Sequence, residues 1–157
     1  AADEALKAIE SQGIDRVLVR ASGDIAVGEA PPGERGWRVG IVPLDPREVP
    51  VRFLSLANCA ISTSGDAHQH LIIKGRRYSH ILDPRTGSPV SGRSSVTVIA
   101  SSGMLADGLA TAASVLGPEK ALKLIKKHPG TEVFMVWEDT QGEQRVVESA
   151  GFPKPTK

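Results

Sequence analysis

Apolar positions follow two rhythms along the chain. Ala5, Leu6, Ala8 and Ile9 recur at helical spacing, which predicts a helix over Asp3–Ser11 stopped by Gly13. Short β-branched runs then take over. Arg16–Ala21, Asp24–Val27 and Trp37–Val42 read as strands, with a polar turn over Glu29–Gly36 between the last two. Pro43–Pro50 carries three prolines and reads as a loop. Val51–Leu56 and Asn58–Thr63 read as strands with a bend near Ala57. His70–Ile73 and Arg77–His80 flank Lys74-Gly75-Arg76, a hairpin signal. Asp83–Gly92 is rich in Pro, Gly and Ser and reads as a loop. Ser95–Ala100 reads as a buried strand. Gly103–Leu116 reads as a helix ended by Gly117, and Pro118 opens the next helix, Pro118–Lys127, at its first turn. Glu132–Trp137 and Gln144–Glu148 close the pattern as strands around a Gln141-Gly142 turn. Strands in runs, with helices at the start and late in the chain, predict an α+β fold with a mostly antiparallel sheet.

The chain's 157 residues suffice for one domain with a core. A net charge of +1 and an aromatic content of 4% argue against a nucleic-acid partner, which needs a basic field or stacking rings. No apolar run reaches bilayer length. Cys59 is the only cysteine and sits in the apolar run LANCAI, so a packed, inert thiol is expected. The first helix opens with no residue to cap it, so a longer chain is expected. Residues 153–157, with two lysines and two prolines, are expected to form a mobile tail.

Three segments carry candidate chemistry. Asp107 and Thr111 lie four residues apart in a helix of small residues, which stacks a carboxylate and a hydroxyl on one face. Such a pair suits a hard cation that keeps water and borrows phosphate oxygens; a solvated Asp and a Thr bonded back to its own helix is the alternative. In His80-Ile81-Leu82-Asp83-Pro84-Arg85-Thr86-Gly87, His80 can act as acid or base and Arg85 can pair with phosphate. A plain Asp-Pro turn, with Asp83 as an Asx-turn former, explains the same residues. In Ser62-Thr63-Ser64-Gly65-Asp66, hydroxyls and backbone N–H groups could receive an anion, or form only a turn. His68 and His70 share a strand face, a possible metal pair, and His128 suits a helix C-terminus.

Taken in order, these segments resemble the FAD:protein FMN transferase (ApbE) family, specifically its C-terminal half. The resemblance runs from Ala1-Ala2-Asp3 through Ser22-Gly23-Asp24, Trp37–Ile41, Ile61–Asp66, Arg77–Gly87, Ser95–Val98 and Ala106–Ala112 to Leu116-Gly117. It implies the family fold, a mostly antiparallel sheet with helices packed on one side, over residues 1–152. It implies a magnesium-dependent flavin transferase: FAD is the substrate, a Thr or Ser hydroxyl of an acceptor protein attacks the FMN phosphorus, and AMP leaves. Asp107 and Thr111 match the side-chain Mg2+ ligands, His80 a catalytic His, and Ile81 a position that touches FAD. Ser64, Gly65, Arg85 and Thr86 are expected to help bind FAD. The implied partner is a redox subunit bearing the flavinylated Thr. The implied location is the periplasm or outer face of the cytoplasmic membrane, with a lipoprotein-type anchor in an N-terminal half not contained in these residues.

That half also supplies a backbone carbonyl to the metal, so these residues alone are expected to hold an incomplete site with little activity. Relatives that mainly hydrolyse FAD can carry a second Asp where Thr111 stands, which favours transfer over pyrophosphatase action. Release of free FMN, or a non-catalytic flavin-binding fragment, are the alternatives. Ser22 departs from the family's usual Gly, and Ala67 from an aromatic.

Overall fold

The computed structural model describes residues 1–41, 44, 50, 52–66 and 70–156. Helix α1 (Ala2–Glu10) leads into β1 (Leu18–Ala21), β2 (Asp24–Val27), β3 (Trp37–Ile41), β4 (Arg52–Leu56) and β5 (Cys59–Gly65). Then come the short strands β6 (His70–Ile73), β7 (Arg76–Ser79), β8 (Leu82–Asp83) and β9 (Ser88–Pro89). Strand β10 (Ser94–Ala100), helices α2 (Gly103–Leu116) and α3 (Pro118–Ile125), and strands β11 (Glu132–Glu138) and β12 (Gln144–Glu148) complete the chain.

Six strands form one sheet in the order β1-β2-β5-β10-β11-β12, and every pairing is antiparallel. Alternation along the strands divides its residues between two faces. Val96, Val98 and Ala100 of β10 pack with Ala106, Ala110 and Ala113 of α2 and Ile125 of α3. Ala60 and Ala26, in register with Ala100, pack with Ala2 and Leu6 of α1. All three helices among the described residues therefore lie on one face. The small side chains of α2 let its backbone come close to the sheet. On the other face Ile61, Ile99 and Phe134 meet Val39, Ile41, Leu54 and Leu56 of the β3–β4 hairpin. Each such buried aliphatic side chain contributes about 1.5–3 kcal/mol.

The α+β fold, antiparallel sheet and one-sided helices match expectation, with local differences. Helix α1 stops at Glu10, and Ser11 caps its end by bonding back to Lys7 and Ile9 carbonyls. Asn58 is not in a strand: its φ of +52° makes it a turn residue, and β5 runs on to Gly65 because it pairs with β10 that far. The stretch read wholly as loop, Asp83–Gly92, includes a two-residue ladder between β8 and β9. The predicted strand over Arg77–His80 ends at Ser79, and the predicted helix over Pro118–Lys127 ends at Ile125. Val42, Val51 and most of the Pro43–Pro50 loop lie outside the described residues, as does His68 of the suggested histidine pair. In the stretch expected to form a mobile tail, the Thr156 N–H donates to the Phe53 carbonyl at 2.8 Å. Phe152, just before it, is buried against Phe134 with ring centroids 5.6 Å apart. Cys59 is half-buried against the core, and burial pushes its thiol pKa up, as an inert thiol requires.

Candidate functional site

Helix α2 begins where two side chains receive its free N–H groups. The Ser102 hydroxyl accepts the Leu105 N–H at 3.3 Å. The Asp3 carboxylate, from α1, accepts Gly103 N–H at 2.6 Å and Met104 N–H at 3.0 Å. Burial alone would raise the Asp3 pKa, but the Gly103 and Met104 N–H donors outweigh it and hold the carboxyl below its usual range. The start of α2 is thus pinned to α1, and with it the turns that carry Asp107 and Thr111.

Both residues are exposed on α2, and Thr111 reaches β5. Thr111 Oγ1 lies 2.9 Å from Ser64 Oγ. Two residues back on the same face, the Ser62 hydroxyl donates to Asp24 Oδ1 at 2.6 Å, where β2 begins opposite Ser62. Strand β2 pairs with β5 only as far as Ser62, so Thr63–Gly65 project past it and leave a notch at the sheet's end. Gly65 also runs tightly against β10: a Cβ there would sit 2.3 Å from the Ser94 carbonyl oxygen.

The segment after β5 is anchored by Asp66. Its carboxylate is 3% exposed, is bonded by the Arg77 guanidinium and accepts the Ser94 N–H at 3.1 Å. The Arg77 guanidinium also donates to the Asp66 carbonyl. This ties β7 to the start of β10 and fixes the chain three residues before His80.

The notch opens into a cleft of about 870 Å³. Asp24, Ser62, Ser64, Gly65, Asp107, Thr111 and His80 line its polar end. Leu18, Ile25, Ile61, Val39 and Phe53 line an apolar end, with Arg20 and Arg38 at its edge. Arg38 stacks on the Phe53 ring, 3.5 Å from the centroid. A second cavity of about 190 Å³ shares Asp24 and Asp107 as walls.

Of the residues singled out in the sequence, Asp107, Thr111, Ser64, Gly65 and His80 are brought together. Ile81, Arg85 and Thr86 are not among the residues lining this cleft. Ile81 is buried, with its N–H on the Ser79 hydroxyl. Arg85 is turned onto Asp83 by bonds of 2.9 and 2.7 Å. The Arg85 side chain, then its N–H, pulls the Asp83 carboxyl down to about 2. With the Arg85 N–H on Asp83 Oδ1 at 2.9 Å, the loop is the Asx turn that was its alternative reading. Thr86 Oγ1 accepts the Ser88 N–H. Asp24, Arg20, Arg38 and Phe53 are site residues that motif reading passed over, while Ser62 joins Ser64 and Gly65 from the candidate anion segment. For Asp24 a signal existed, the Ser22-Gly23-Asp24 turn, but nothing local placed it beside Asp107.

Burial, and then the charge of Asp24, pushes the Asp107 pKa up. Two carboxylates that oppose each other's ionisation form a place where a cation relieves repulsion. Thr111 can donate its proton to Ser64 and offer a lone pair. Among the described residues no three His, Cys, Asp or Glu side chains group as metal ligands. A cation here would therefore complete its shell with water and ligand oxygens, as magnesium does, and unlike zinc in an all-protein cage. The donor set fits that ion.

Residues 1–135 match the ApbE family, and the chain belongs to it. The FAD:protein FMN transferase of Klebsiella pneumoniae (strain 342) is 38% identical over 145 residues, covering 90% of this chain and 41% of that protein. The transferase of Escherichia coli (strain K12) is 37% identical over 142 residues, covering 87% and 39%. Among solved structures, the flavin transferase ApbE from Vibrio cholerae superposes with a TM-score of 0.78 at 34% identity, covering 96% of this chain and 48% of that one. The ApbE protein of Thermotoga maritima does so with a TM-score of 0.78 at 30% identity, covering 96% and 49%. The chain thus spans about two-fifths of the length of these curated relatives and half that of the solved chains.

Proposed function

We propose that the protein to which these residues belong moves FMN from FAD onto a Thr or Ser hydroxyl of an acceptor protein, with release of AMP. The observation that carries this reading is the convergence of Asp107, Thr111 and His80 on one cleft, from two distant parts of the chain. Relatives named FAD:protein FMN transferase support the reaction class.

In this reading Asp107 and Thr111 hold Mg2+, with Asp24 adding negative charge beside it. The ion supplies neutralisation of charge on the pyrophosphate oxygens as the link between the two phosphates breaks. Ser64 orients the Thr111 hydroxyl, and Asp3 fixes the helix that presents both ligands. The apolar end of the cleft, with the Arg38–Phe53 stack, takes one ring system of the dinucleotide. His80 accepts the proton of the incoming hydroxyl. The hydroxyl oxygen then forms its bond to the FMN phosphorus while the bond to the AMP oxygen breaks. The acceptor is a membrane-bound redox subunit, and the protein works at the outer face of the cytoplasmic membrane. No helix of the described residues is long and apolar enough to cross a membrane.

The test is incubation of the full protein with FAD, Mg2+ and acceptor. The expected result is an acid-stable fluorescent acceptor band with AMP in equal amount, both lost on chelation. His80→Ala should slow the step by about 10²–10⁴. Free FMN and AMP with no labelled protein would instead identify an FAD pyrophosphatase.

A further inference from the structure

The hairpin of β6 and β7 stands apart from every other strand. It forms a two-stranded sheet of its own, so among the described residues neither strand has a second neighbour. Strand β6 is apolar yet solvated on both faces: Leu71, Ile72 and Ile73 are 68%, 67% and 52% exposed. An exposed apolar strand with an open edge is a template for another strand. The hairpin is nevertheless tied back to the end of β5 by Arg77, which is bonded to buried Asp66. Its other end runs from Ser79 directly into His80 in the cleft, and His70 lies across from Ser79. Anything laid along β6 therefore has one end at the mouth of the site.

Charge narrows the occupant. Residues 70–79 hold no Asp or Glu, and besides Arg77, which Asp66 neutralises, they carry Lys74 and Arg76. Two copies of this chain pairing here would bring like charges together, whereas an acidic segment would be attracted.

We propose that β6 is the docking strand for the acceptor protein, which adds an extended segment with acidic residues among its apolar ones along this edge. The inference rests on the FMN-transfer reading, because it uses the need to deliver a protein hydroxyl to His80. Backbone hydrogen bonds to the open edge supply affinity, and Leu71, Ile72 and Ile73 supply apolar cover. Register along the strand sets which hydroxyl reaches the cleft, which gives the enzyme selectivity for one residue of the acceptor.

The test uses the full natural protein, with the protein substrate of the Vibrio cholerae relative as acceptor. The double variant L71S/I73S should raise the KM for acceptor about tenfold or more, a loss of the order of one good apolar contact per residue. The kcat at saturating acceptor and the KM for FAD should not change. K74E, at the hairpin tip, should raise the acceptor KM in a manner that fades with added salt, and needs no apolar side chain removed. The amides of His70 and Ile72, which the register turns away from β7 into the open edge, should exchange rapidly in the protein alone and become protected with acceptor. An unchanged acceptor KM in both variants overturns the docking strand and leaves FMN transfer standing. So does protection of these amides before acceptor is added, which would mean that the rest of the chain or a second copy already covers β6. If the unaltered protein labels no acceptor, the transfer reading falls and takes this inference with it.

Discussion

Asp3→Ala tests how the metal-facing helix is held. The Asp3 carboxylate accepts two N–H groups at the start of α2, at 2.6 and 3.0 Å, one hundred residues further along the chain. Ser102 already caps the helix, so Asp3 acts as a second acceptor for donors that would otherwise find only water. Losing such a cap costs about 0.5–2 kcal/mol. Losing the negative charge near the N-termini of both α1 and α2 costs about 0.3–1 kcal/mol more. A total of about 2 kcal/mol is expected at neutral pH, which lowers Tm by roughly 4–8 °C in a domain of this size. The sign with pH follows from the depressed pKa. The stabilisation is complete above the unfolded carboxyl value of about 3.9 and disappears as pH falls through the lower folded value. Urea unfolding followed by circular dichroism, parent against variant, should show the full gap at about pH 7 and a shrinking one below about pH 4. A gap that is absent at pH 7, or that persists unchanged in acid, would refute the charged cap.

Three further substitutions probe other parts of the structure. Ser22 sits at φ +59°, a left-handed conformation that costs a non-glycine residue about 1–2 kcal/mol, partly offset by the extra chain entropy of glycine. Ser22→Gly should therefore raise Tm by a few degrees in a thermal melt. Gly65→Ala should cost about 1–3 kcal/mol, because its Cβ would meet Ser94 backbone at 2.3 Å; calorimetry and FAD affinity should both fall. Asp66→Ala leaves Arg77 without its buried partner. It should destabilise by up to about 3–5 kcal/mol, less to the extent that Arg77 reaches water. At temperatures where it remains folded, it should also lower kcat by loosening the approach to His80.

What the sequence disclosed depended on how local the cause was. Helix α2 was legible to its ends, because Gly103–Leu116 is bounded by its own stop signal, Gly117, and a following Pro118. The i,i+4 spacing of Asp107 and Thr111 is a property of one helix, so their common face was readable too. Their neighbours were not. Asp24 reaches Asp107 only because β2 pairs with β5 in one particular register, with Asp24 opposite Ser62. No pattern within a single segment carries that register. Arg85 is a case where the nearest partner is local: a basic residue in a Gly/Pro loop suggested phosphate, and in this structure it is paired with Asp83 two residues away. At the end of the chain, polar composition says nothing of the packing of Phe152 on Phe134 or of the Thr156 bond to β4.

The most direct measurement is a crystal structure of the full protein soaked with FAD and Mn2+, with the ion located by its anomalous signal. The expected peak lies between α2 and β5, within about 2.0–2.3 Å of a carboxylate oxygen of Asp107 and of Thr111 Oγ1, with pyrophosphate oxygens completing the shell and His80 facing the FMN phosphorus. An ion bound elsewhere, or an FAD pyrophosphate that lies away from these two side chains, would contradict it.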